Sequence, residues 1–414
     1  MRITDGCLDY ARHERRCDVT PTDLGFLPDR LQRINDHIQT EYLDSGKLPF
    51  ASLLIGRGEE IAHRWNSGVA DDAIFRIASM TKPLTSVAFM QLVEQGKVAL
   101  GDPVAKYIPE FANLGVFVAG GGNVPFVMRP PIMPMRIVDL LRHTSGLTYS
   151  FQERSNVDAA YRKTDIESWS KWSDDEFIAG LAQIPLEFDP GTSWNYSVST
   201  DVLGVIVARI SGLPLGEYFR QHILGPLGMA DTDFIVAAEK ADRLPEAYTW
   251  HPTEKMRSAD PAGAASGWAH ARKFHSGGGG LASTVADYHR FARMLLNGGA
   301  LDGVQIISPK TLELMTANHL PGAGDLTQHS KSLFSEAEMA GIGFGLGFAT
   351  TIDSAATLTP CSTGDFYWGG MYSTAFFVDP VEDIIMIFMT QLMPSSTYPI
   401  RREIKTMLYG ALAA

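Results

Sequence analysis

Phe75-Arg76-Ile77-Ala78-Ser79-Met80-Thr81-Lys82 joins a β-like apolar run to the expected start of a helix, and it places a serine and a lysine three residues apart. Residues i and i+3 share a helix face, so the hydroxyl and the amine can touch. Serine alone is a poor nucleophile; a neighbouring base, or a lysine whose pKa burial has lowered, can take its proton. The start of a helix also presents free N–H groups and partial positive charge, which suits an oxyanion. Downstream, Val87, Met90, Leu92 and Val93 predict a buried helix stopping at Gly96, with Pro83 in the first turn, where a missing N–H is tolerated. A second tetrad, Ser168-Trp169-Ser170-Lys171, lies in a polar, acidic stretch from Asp165 to Glu176 that reads as a surface insertion, so context selects Ser79.

Working outward, Leu31, Ile34, Ile38 and Tyr42 recur at helical spacing, after a loosely ordered lead-in over residues 1–25. Ala51 to Ile55 and Glu60 to Trp65 read as two strands joined by the turn Gly56-Arg57-Gly58. Between about 100 and 250 helical patterns dominate, broken by loops at Gly120-Gly121-Gly122 and Pro130-Pro131. A helix over Ala286 to Leu296 returns the chain to its first lobe. Gly341, Gly343, Gly345 and Gly347 alternate along one face of an expected strand, and Thr374–Val378 with Ile384–Thr390 predict a second hairpin. Arg401 to Leu412 predicts a closing helix. The expected fold is therefore α/β (α+β): an antiparallel sheet flanked by helices, made from 26–100 plus 251–414, with a mainly helical domain inserted over 101–250. Ligands favour such an interface between lobes.

The 414 residues suffice for a large core, and 45% apolar with 20% charged residues is ordinary for a globular chain. A formal charge of −12, with no Lys/Arg block, argues against a nucleic-acid partner. Cys7, Cys17 and Cys361 do not make a disulfide framework. The N-terminal stretch has no apolar core of a signal peptide and no apolar run reaches membrane-spanning length, so a cytoplasmic location and no membrane span are expected. His270 and His275 lack zinc-site spacing, the glycines at 341–347 miss the dinucleotide pattern, and no G-x-S-x-G occurs. No metal and no cofactor is expected.

An acylating serine also needs a proton route to the leaving group and two oxyanion donors. Tyr196, in Pro190-Gly191-Thr192-Ser193-Trp194-Asn195-Tyr196-Ser197-Val198, is the candidate for the first, because a phenol held among cations can act as acid or base. Trp368-Gly369-Gly370-Met371 offers the second: two glycines let a strand backbone approach a ligand, and the Met371 N–H can pair with that of Ser79. Tyr149, Phe151 and Trp194 are candidates for an acyl pocket, with core packing as their alternative. His143 reads as a structural histidine.

With these segments the chain resembles the penicillin-recognising serine hydrolase superfamily, and within it the family VIII carboxylesterases, over residues 26–410. Matching stretches include Leu140-Leu141-Arg142-His143-Thr144-Ser145-Gly146-Leu147, Ile223-Leu224-Gly225-Pro226-Leu227-Gly228-Met229 and Gly278-Gly279-Gly280-Leu281-Ala282-Ser283-Thr284. The resemblance implies a β-lactamase-like fold, Ser79 as acylated nucleophile, proton transfer shared by Lys82 and Tyr196, and an oxyanion hole from the Ser79 and Met371 N–H groups. Two departures bear on substrate. Val198 stands where β-lactamases place an asparagine that bonds the drug's side chain, and Trp368 stands where a lysine holds its carboxylate. Losing such a charge-assisted contact gives up about 1.5–3 kcal/mol. Substrate contacts are accordingly expected from Trp368, Gly369, Gly370, Val198, Tyr149 and Phe151. The expected activity is hydrolysis of short-chain acyl esters, a small-molecule substrate, with class C-type β-lactamase, D-Ala-D-Ala peptidase or acyltransferase as alternatives on the same scaffold. A non-catalytic binding protein is a further alternative, opposed by the intact Ser79, Lys82 and Tyr196.

Overall fold

The computed structural model describes residues 19–331 and 339–413; Cys7 and Cys17 fall outside them. A seven-stranded antiparallel sheet is assembled from both ends of the chain. Its order is Ile342–Phe344, Ala349–Thr351, Phe366–Gly369, Ala375–Asp379, Ile384–Met389, Ala51–Arg57 and Glu60–Ser67. The two sequence-distant hairpins meet through pairs such as Leu53↔Phe388 and Ile55↔Met386.

Side chains alternate across a strand, so each strand feeds two cores. Leu53, Ile55, Phe377, Met386 and Phe388 face the helices Pro28–His37 and Ile400–Tyr409, packing on Leu31, Ile34, Ile404 and Leu408. Leu54, Phe376, Val378, Ile385 and Ile387 join the larger core, which holds the helices Thr81–Glu94, Ser199–Ser211 and Val285–Leu296. The end of the expected lead-in is tied down: Phe26 is buried, and the Leu27 and Ala413 N–H groups donate to Ala411 and Gly25 carbonyls, each at 2.8 Å.

Ser79 itself lies in a 3₁₀ turn, Ala78–Met80, and the α-helix proper runs Thr81–Glu94. Twelve of its fourteen residues are buried, so this is an all-round core helix with no solvent face. Ala78 takes a left-handed φ of +45°. Such a conformation in a residue with a Cβ costs of order 1–3 kcal/mol and persists because the surrounding packing imposes it.

Three expectations need correcting. The loop expected at Gly120-Gly121-Gly122 is part of a hairpin: Val116–Gly121 pairs with Val124–Arg129, Gly122 and Asn123 make the turn, and all three glycines have positive φ. The boundary at 250 cuts the strand Ala247–His251, which pairs with Lys255–Asp260 and, in parallel, with Leu392–Met393. The alternating glycines do not form one long strand, for only Ile342–Phe344 is extended. Gly341 and Gly347 have φ of +74° and +104°, and a Cβ on Gly345 would sit 2.1 Å from the Met315 carbonyl.

Arg76, fully buried beside the nucleophile turn, connects these parts. Its guanidinium pairs with Asp260 and donates to the Pro245 (2.6 Å) and Pro261 (3.0 Å) carbonyls, Gln391 (3.2 Å) and Ser266 (3.0 Å). Gln391 returns a bond to the Arg76 carbonyl at 3.1 Å. Removing one partner of such a set strands the others. Arg76→Met is expected to cost about 3–5 kcal/mol, read as a lowered urea midpoint at unchanged slope.

Candidate active site

The short strand Phe75–Arg76 pairs with Ala282–Ser283, and this pairing brings the Ser276–Gly280 loop beside the nucleophile turn. Ile77 N–H donates to the Leu281 carbonyl at 3.1 Å, and Leu281 N–H donates to Thr81 Oγ1 at 3.0 Å. From the other side comes the end of strand Phe366–Gly369. Gly370 lies against Ile77 so closely that a Cβ there would stand 2.4 Å from the Ile77 carbonyl oxygen. Glycine at 370 is therefore what lets the Met371 turn reach the serine.

Lys82 is 2% exposed. Its Nζ donates to Ser79 Oγ at 3.3 Å, to the Tyr149 hydroxyl at 3.0 Å and to the Gly278 carbonyl at 2.5 Å. An ammonium has three protons to donate, and these three acceptors match them. Nζ also lies 4.4 Å from the centre of the Tyr196 ring, a cation–π contact. Tyr196 is buried among rings: those of His143 and Tyr149 are each 5.1 Å away and that of Trp368 is 5.4 Å away.

Ser79 opens into a cavity of about 630 Å³ lined also by Tyr149, Phe151, Tyr196, Val198 and Met371. These five were expected at the site. Trp368, Gly369 and Gly370 were expected as substrate contacts, but they are not among the lining residues. Trp368 is 1% exposed and packs its ring on Tyr196 and Phe344, so it supports the pocket from behind. Trp194 is likewise a core residue, stacked near Tyr196. His143 is structural as read: buried, with Nδ1 3.2 Å from Ser197 Oγ, and held neutral by burial and by the charge of Lys82. Among the described residues no cluster of His, Cys, Asp and Glu could hold a metal ion.

The far wall was missed. Glu167, Trp169, Phe177, Asp201, Trp268, Phe274 and Ser276 also line it, so the stretch read as a surface insertion walls part of the cavity instead. Asp201 had a visible signal, as the only charged residue between Asp189 and Arg209. Glu167 had none, since an acidic residue in a polar stretch reads as solvated.

Burial pushes the Glu167 carboxyl up to about 7, with bonds from the Ser150 N–H (2.6 Å) and hydroxyl (3.0 Å) opposing it. A folded value above the ordinary 4.5 means that ionisation opposes folding. The penalty is absent below the unfolded value, grows as pH rises and is complete above the folded one. Glu167→Gln is isosteric and removes it. The variant's advantage in Tm over wild type is expected to widen between about pH 5 and about pH 8.

A serine and a lysine on one helical turn, set at the floor of an aromatic cavity beside an antiparallel sheet, define a serine hydrolase of β-lactamase type. The Beta-lactamase family matches residues 35–409, and the chain belongs to that family. Protein Rv1367c of Mycobacterium tuberculosis is 35% identical, over 86% of this chain and 88% of its own length. Esterase EstB of Burkholderia gladioli is 31% identical, over 89% of this chain and 91% of its own. Among solved structures, EstCE1, a hydrolase with promiscuous acyltransferase activity, superposes with a TM-score of 0.78 at 25% identity, covering 94% of this chain and 99% of its own.

Proposed function

We propose that the protein is a carboxylesterase that cleaves uncharged, short-chain acyl esters through an acyl-enzyme on Ser79. The observation that carries this reading is the Lys82 Nζ to Ser79 Oγ contact at 3.3 Å, at the floor of a cavity walled by aromatic rings. Lys82 first gives up one of its three ammonium protons, and Ser79 Oγ then attacks the ester carbonyl as its own proton passes to the amine so formed. The oxyanion rests on the Ser79 and Met371 backbone N–H groups. Collapse breaks the bond to the alcohol, which takes the proton from Lys82 by way of Tyr196. Water then adds to the acyl carbon, gives its proton to the same pair, and the acid leaves as Ser79 is restored.

Charge supports an uncharged substrate. Among the described residues, the cavity lining contains Glu167 and Asp201 and no Lys, Arg or His, so a β-lactam carboxylate meets like charge there. Val198 offers that wall a hydrocarbon surface in place of an amide. The volume also leaves room for an alcohol beside the acyl group, which favours acyl transfer as a second activity of the same intermediate.

Wild type is expected to cleave p-nitrophenyl acetate and butyrate far faster than a chromogenic cephalosporin. Ser79→Ala should lose ester turnover with an unchanged Tm, and Lys82→Ala should lose roughly 10²–10⁴-fold in kcat. Efficient cephalosporin turnover would overturn the substrate assignment. Failure of folded wild type to cleave esters or to be acylated on Ser79 by a fluorophosphonate would overturn the reading itself.

A further inference from the structure

The acyl-transfer reading leaves unused a buried carboxylate next to its general base. Asp201 is 4% exposed, near the start of helix Ser199–Ser211. Its Oδ1 accepts from the Ser276 hydroxyl at 2.5 Å and from the Gly278 N–H at 3.1 Å. The Gly278 carbonyl in turn accepts from Lys82 Nζ at 2.5 Å. One residue is thus held on both sides, by the carboxylate through its N–H and by the ammonium through its C=O. Packing leaves no latitude there, because a Cβ on Gly278 would lie 2.3 Å from Asp201 Oδ2. A second route runs through Tyr149. Its hydroxyl accepts from Lys82 Nζ at 3.0 Å, and Asp201 is close enough to act on that phenol by charge and by hydrogen bonding.

We propose that Asp201 is a positioning residue of the active site, which fixes Gly278 and Tyr149 around Lys82 and supplies the buried negative charge that holds the Lys82 amine against Ser79. The role rests on the acyl-transfer reading above and extends it. Asp201 touches no reacting atom in this scheme and acts through Lys82. Burial pushes the Asp201 carboxyl up from its ordinary range, while the charge of Lys82 and the bonds from the Ser276 hydroxyl and the Gly278 N–H pull it back, so each buried charge offsets part of the other's cost. The titratable groups facing this pair are Tyr149, Glu167 on the far wall, Tyr196 and His143. Burial keeps Tyr149 neutral far above the ordinary phenol range and His143 unprotonated, so of Tyr149, Glu167 and His143 only Glu167 changes charge near neutral pH.

The test uses full-length protein and p-nitrophenyl butyrate. Asp201→Asn keeps the shape and removes the charge that favours the ammonium form of Lys82. Its kcat is expected to fall roughly 10–100-fold, with KM changed less than about twofold. The acid limb of its kcat/KM profile should move down by about one pH unit. The same shift should appear in a Glu167→Gln background, which removes the other group titrating in this range. Ser276→Ala and Tyr149→Phe each delete one hydroxyl of the network, and each should lower kcat about threefold to tenfold; they carry the test if Asp201→Asn does not fold. An active wild type with Asp201→Asn matching it in kcat and acid limb would overturn the inference. So would a loss of activity accounted for wholly by the unfolded fraction with the limb unmoved, or unaltered kcat in both hydroxyl variants. Silence from folded wild type overturns the esterase reading instead, and this inference with it.

Discussion

Everything near the nucleophile is arranged around one buried cation. Placing the Lys82 ammonium in the core costs several kcal/mol unless its charge and all three of its protons are met. They are met by a hydroxyl on its own helical turn, a phenol from the inserted region, a carbonyl from the Ser276–Gly280 loop and the face of a second phenol. These groups come from parts of the chain far apart in sequence. The cost of leaving any one out explains why the helical region, the sheet and the glycine loop come together at this point.

The same constraint accounts for the glycines. Where Gly278 and Gly370 pass the nucleophile turn, there is no volume for a side chain, because a carboxylate oxygen occupies it in one case and a backbone carbonyl in the other. Close backbone approach delivers N–H and C=O groups with fixed directions and little conformational freedom to lose. The left-handed Ala78 belongs to the same economy, since it turns the strand sharply enough to place Ser79 just ahead of the helix.

Much of this was legible in the order of residues. Strand-like runs flanking a turn in 51–65 and in 374–390 marked the two hairpins, and the Ser79 tetrad stood at a true junction of strand and helix. Local pattern could not report tertiary partners. Trp368 reads as a pocket residue because the glycines that follow it approach the site, yet its ring is buried against Tyr196 and Phe344. Trp169 and Glu167 read as solvent-facing because a turn rich in polar residues normally is, and only the fold brings Phe274 and Trp268 to cover them. Asp201 shows the opposite case, a charge in an apolar run that signalled burial but did not name its partner.

The pairing of Ala51–Arg57 with Ile384–Met389 has a consequence for how the molecule is made. During synthesis the N-terminal hairpin emerges with one edge complete and the other open, and its proper neighbour is translated only near the end. Until then a run of apolar, β-forming residues faces solvent or a chaperone with unpaired backbone groups, a state prone to stick to other chains. Closure of the sheet is therefore a late, non-local step with a large loop to draw in, and the nascent protein's yield depends on how well that open edge is shielded while it waits.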